Sequence, residues 1–115
     1  MALDTLQAAE VIINLEKFLD KRRPPENMRH KLDLNYKIEN QSITIFETRP
    51  HWQRKTETIE SSIAKATWAQ TKKVYKIYWM RADLKWHSYK PQPMVKTIED
   101  FLQTVNEDAY GCFWG

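Results

Sequence analysis

A chain of 115 residues with 42% hydrophobic residues and five Trp, five Tyr and four Phe can bury one sizeable core, which excludes disorder and makes residues 1–115 a single domain. Its formal charge of +3 conceals a polarity: residues 61–96 set eight Lys and Arg against Asp83 alone, whereas residues 97–115 hold four acids and no Lys or Arg. The lone Cys112 cannot form an intrachain disulfide, the early acids Asp4, Glu10, Glu16 and Asp20 exclude a signal peptide, and no apolar run reaches the roughly 20 residues of a membrane helix, so a cytoplasmic protein without membrane contact is expected.

Asp4 or Thr5 can cap a helix whose apolar residues recur at Ala8, Val11, Ile12, Leu15 and Leu19. Arg22 and Arg23 suit its negative end, and Pro24-Pro25 stop it near Lys21. From Leu32 the period falls to two: Leu32, Leu34, Tyr36 and Ile38, then Ile43 and Ile45 after Asn40-Gln41, which predicts a hairpin. The polar stretch from Thr48 to Ser62 predicts a loop. Alternation at Ala64, Ala66 and Trp68, at Tyr75, Ile77 and Trp79, and at Leu84 and Trp86 predicts three more strands. Thr97, with Asp100 three residues on, opens a second helix carrying Ile98, Phe101, Leu102 and Val105. The aromatic end Tyr110-Gly111-Cys112-Phe113-Trp114-Gly115 is too apolar for a free tail and should dock. The expected fold is α+β: an N-terminal helix, an antiparallel meander of four to five strands, a C-terminal helix and a docked aromatic tail.

The stretch Val74-Tyr75-Lys76-Ile77-Tyr78-Trp79-Met80-Arg81-Ala82-Asp83-Leu84-Lys85-Trp86-His87, with Arg22-Arg23-Pro24-Pro25, Phe46-Glu47-Thr48-Arg49-Pro50-His51-Trp52 and the aromatic end, resembles DUF3024, a bacterial family of small proteins described only as a domain of unknown function. The resemblance spans most of the chain and implies kinship without an activity, cofactor or catalytic residue.

Strand alternation that turns Trp68, Trp79, Leu84 and Trp86 toward the helices places Lys37, Phe46, Lys65, Lys76, Tyr78, Met80, Lys85, His87 and Tyr89 on the opposite face of the sheet. Cations for phosphates and rings for bases suit single-stranded nucleic acid. The bland alternative is that the C-terminal helix or the tail covers Phe46, Tyr78 and Met80 and leaves a rim of solvated lysines. Arg49 and Arg81 could add phosphate contacts, although Arg81 can equally pair with Asp83, and Arg22 and Arg23 serve the helix end. The expected function is therefore a small nonenzymatic binding module contacting nucleic acid or another polyanion through Lys37, Phe46, Arg49, Lys65, Lys76, Tyr78, Arg81, Lys85, His87 and Tyr89.

Two other classes compete. The same face could serve a protein partner or a homodimer in self-assembly, against which its lysines argue. Asp83-Leu84-Lys85 matches half of a Mg²⁺-dependent nuclease or phosphoesterase site, which would need a second carboxylate from Asp33, Glu39 or Glu47. No cofactor or metal is expected. His30, His51 and His87 lack metal-ligand spacing, both glycines lie at the end, where they cannot form a phosphate loop, and Cys112 is expected to be a small buried hydrophobe. Trp79, Trp86 and Trp114 are expected to be structural.

Overall fold

A computed structural model describes residues 3–54 and 56–114. Helix α1 (Thr5–Arg22) starts where the Asp4 carboxylate accepts the Gln7 N–H at 2.8 Å. It stops at Arg23, whose backbone is already extended before Pro24. The Arg23 guanidinium grips Asp33 through two hydrogen bonds of 2.6 Å, which fastens the helix end to the first strand. The Asp33 carboxyl is held below its ordinary range chiefly by that guanidinium.

The strands are β1 (Asp33–Glu39), β2 (Ser42–Pro50), β3 (Thr58–Ala69), β4 (Val74–Met80), β5 (Trp86–Ser88) and β6 (Met94–Val95), and α2 (Ile98–Glu107) closes the fold. The sheet is antiparallel in the order β1-β2-β3-β4-β5, and β6 joins β4 beside β5. Asn40, at φ 55°, makes the first turn as its tolerance of positive φ allows.

Two expectations change here. Much of the predicted loop from Thr48 to Ser62 is strand, because β2 and β3 stay paired out to Pro50 and Thr58. Beyond Thr48 this ribbon has no β1 neighbour and its polar side chains meet water on both faces, so it carries no apolar alternation. Lys55, in its connection, lies outside the described residues. The fifth strand begins at Trp86 rather than Leu84. Residues 81–85 form a tight turn in which the Leu84 N–H donates to the Arg81 carbonyl and Leu84 takes φ 61°.

Both helices lie on one face. Val11, Leu15, Phe18 and Leu19 of α1 and Ile98, Phe101, Leu102 and Val105 of α2 share one cluster with Leu34, Ile43, Ile45, Ala64, Ala66, Tyr75, Ile77 and Val95. Alternation along the strands turns these positions to the same side. At a bulge opposite Ile45 and Phe46 the ladder skips Ile63, whose side chain also enters the core. Glu16 binds the Tyr36 hydroxyl at 2.8 Å, and burial together with that carboxylate pushes the Tyr36 phenol up to about 12.

Thr97 caps α2 by accepting the Asp100 N–H at 3.0 Å. The helix ends at Asp108 in the left-handed region, and the tail then docks as expected. The Asp108 carboxylate accepts the backbone N–H groups of Phe113 and Trp114, the Trp114 indole donates to the Val105 carbonyl at 2.8 Å, and Phe113 packs against Tyr89. Arg22 donates to Asn106 and lies 4.2 Å from the Trp114 ring centre, so Arg22 and Arg23 are staples between elements as well as helix-end cations. Cys112 is partly buried rather than fully so, and Gly115 lies outside the described residues. No helix among the described residues is long and apolar enough to cross a membrane.

Candidate functional site

Pairing partners in an antiparallel ladder point to the same face. One row runs Lys37, Thr44, Lys65, Tyr78, Ser88, and the next runs Glu39, Ser42, Thr67, Lys76, Met94. Asn35, Phe46 and Ser62 form a third, with Met80 and Trp86 paired further along. None of these residues belongs to the core beneath the helices, so this outer face is covered by neither helix nor by the tail.

The structure therefore brings together five of the expected residues, Lys37, Phe46, Lys65, Lys76 and Tyr78. It does not bring the other five. Arg49 falls on the opposite side of the ribbon and pairs with Glu47 at 2.9 Å. Arg81 and Lys85 sit in the β4–β5 turn, and the Arg81 guanidinium lies 5.5 Å from the Trp79 ring. His87 pairs with Trp79 and so belongs to the helix side, with its Nε2 2.8 Å from Asp83. Tyr89 is buried against Phe113. For Lys85, His87 and Tyr89 the reason is one of parity: the turn takes up Leu84 and Lys85, so Trp86 replaces His87 on the outer face. Leu84, expected to face the helices, is 81% exposed at the turn.

Trp86 is the residue that the sequence reading misplaced, and it completes the site. Lys65 Nζ lies 5.0 Å from the Trp86 ring centre and 5.2 Å from that of Tyr78, a cation held between two partly exposed rings. Burial, which disfavours the charged form, lowers the Lys65 ammonium below the usual lysine range. Among the described residues no carboxylate lies within ion-pair distance of Lys65, Lys76 or Lys72, which shares a hollow with Lys76. Lys37 differs. Its ammonium is shared between Glu60 at 3.5 Å and Glu39 at 3.9 Å, and it covers the ring of Phe46, which is only 8% exposed. Phe46 is thus a support and offers no open face for stacking.

Next to Trp86 and Lys65 the sheet carries a hollow of about 350 Å³ floored by Ser42, Thr44 and Ser62. The Ser42 and Thr67 hydroxyls bond each other at 2.9 Å, while those of Thr44 and Ser62 have no protein partner among the described residues. Thr44 is only 7% exposed and Ser62 is half-buried, yet no fully buried side-chain polar atom among the described residues lacks a partner, so water still reaches both hydroxyls at the bottom of the hollow.

The half-motif Asp83-Leu84-Lys85 does not develop into a metal site in this arrangement. Asp83 accepts the Lys85 N–H at 3.0 Å and pairs with His87 rather than Arg81, and its carboxyl is lowered chiefly by the His87 hydrogen bond. The described residues contain no cluster of three or more His, Cys, Asp or Glu side chains placed to hold a metal ion.

The sequence profile of a family described as Domain of unknown function (DUF3024) matches residues 3–115. No curated protein and no solved structure matches the chain.

Proposed function

The chain belongs to the DUF3024 family, and we propose that it is a nonenzymatic binding module that holds single-stranded nucleic acid on the outer face of its sheet. The observation that carries this reading is the pair of partly exposed rings, Tyr78 and Trp86, flanking Lys65 on a face that neither helix covers. Stacking on each ring contributes about 1–3 kcal/mol per base. Lys65, Lys72 and Lys76 supply three cations free of carboxylates among the described residues, which corresponds to a salt slope of roughly −2 for a single strand. With Lys37 neutralised by two glutamates, charge alone is too sparse for strong binding. Stacking must contribute a comparable share, which favours nucleic acid over a polyanion without bases.

The test is an anisotropy titration of labelled oligo(dT) and oligo(U) at two salt concentrations, with Trp86→Ala and Tyr78→Ala beside the parent and polyphosphate as competitor. Each variant should weaken binding by about 5- to 150-fold, and polyphosphate should compete poorly. Unchanged affinity in both variants, or no binding at low salt, would sink the reading. The rival reading, a protein-interaction or self-assembly module, draws on Trp52 and Leu84, which are 77% and 81% exposed. Concentration-dependent sedimentation abolished by Trp52→Ser would favour it.

A further inference from the structure

We propose that the outer face selects RNA over DNA, by hydrogen bonds from ribose 2′-hydroxyls to Thr44 and Ser62 in the hollow beside Trp86. This inference rests on the nucleic-acid reading above. A base stacked on Trp86 leaves its sugar and phosphate within the space next to the ring, and that space is the 350 Å³ hollow. Such a volume lies within the range of small-ligand sites, about 300–1,000 Å³, and can take one nucleoside. Its floor is made of hydroxyls. Thr44 pairs with Lys65 across β2 and β3, and Ser62 pairs with Phe46, so both are fixed by the ladder rather than by a mobile loop.

A hydroxyl can donate and accept, which matches the donor and acceptor character of a 2′-hydroxyl and no group of a deoxyribose at that carbon. The alternative partners of these side chains are missing: neither hydroxyl is engaged within the protein among the described residues. Lys65 stands beside them to meet the adjoining phosphate, and Lys37, 3.9 Å from Glu39, offsets the one carboxylate among the described residues that line the hollow. Hydrogen bonds of this kind contribute about 0.5–1.5 kcal/mol each, so two of them correspond to a preference of about tenfold.

The experiment compares oligo(U), oligo(dU) and 2′-O-methyl oligo(U), each of about 12 nucleotides, against the parent protein, Thr44→Val/Ser62→Ala and the control Thr44→Ser. The parent should bind oligo(U) about tenfold more tightly than oligo(dU), and the methylated strand should lose most of that gain. The double variant should bind RNA and DNA alike at the parent's DNA affinity, whereas Thr44→Ser should retain the preference. Val in place of Thr and Ala in place of Ser preserve the packing of the ladder, and thermal melts check it. Equal binding of the three strands by the parent, or a preference that survives in the double variant, overturns this inference and leaves the nucleic-acid reading intact. Absence of binding to all three overturns both.

Discussion

Replacing Asp108 should cost the fold more than one residue at a helix end implies. Its carboxylate accepts the Phe113 N–H at 3.1 Å and the Trp114 N–H at 2.9 Å, while its own backbone holds φ 40°. Hydrogen bonds to a charged group contribute about 1.5–3 kcal/mol each in a dry setting, and these are partly buried, so about 2 kcal/mol for the two together is the appropriate scale. Asp108→Ala loses both acceptors and places a Cβ with no local hydrogen bond in the left-handed region, for a loss of about 2–3 kcal/mol. Asp108→Asn keeps one acceptor oxygen and tolerates that backbone, so it should lose about 1 kcal/mol. Asp108→Gly loses the acceptors but removes about 1 kcal/mol of strain, which places it above Ala. Urea unfolding followed by tryptophan fluorescence measures the series, with Trp114 itself a reporter of the docked tail. The reasoning is refuted if Ala falls within about 0.5 kcal/mol of the parent, or if Gly is no better than Ala.

Two further substitutions probe the elements that frame the site. Leu84→Gly removes an exposed side chain from a left-handed position, and the relief of strain offsets the added freedom of the unfolded chain, so stability should stay level or rise by up to about 1 kcal/mol. A loss beyond about 1 kcal/mol in a thermal melt would mean that Leu84 packs in solution. Asp33 is held low by Arg23, so its contribution is complete above the unfolded carboxylate value of about 4 and is lost as pH falls through the lower folded value. Asp33→Asn should therefore cost about 1 kcal/mol at neutral pH and flatten the dependence of stability on pH below about 4; an unchanged acid limb in urea titrations at stepped pH would contradict this.

The helices were legible because each buries one stripe between recognisable caps: Asp4 and Thr97 accept the amides that their positions forecast. The first hairpin was legible for a related reason, since along β1 Leu34, Tyr36 and Ile38 alternate with the exposed Asn35, Lys37 and Glu39. The ribbon at Thr48–Pro50 and Thr58–Glu60 has two wet faces, and polar residues on both sides leave no period to detect.

The turn at Arg81–Lys85 failed for a different reason. A left-handed residue at the end of a tight hairpin turn is ordinarily glycine, and here it is Leu84, whose apolar side chain two residues before Trp86 imitates a strand. One residue of parity then exchanges faces for everything downstream: His87 and Tyr89 go to the helix side and Trp86 comes out beside Lys65. The expected surface of scattered cations becomes two rings around one cation, next to hydroxyls on β2 and β3 that are distant from Trp86 in sequence. No local pattern encodes that meeting. It depends on the register of three ladders and on the backbone angle of Leu84, so altered β4–β5 register would remove the ring from the site while leaving every one of its residues in the chain.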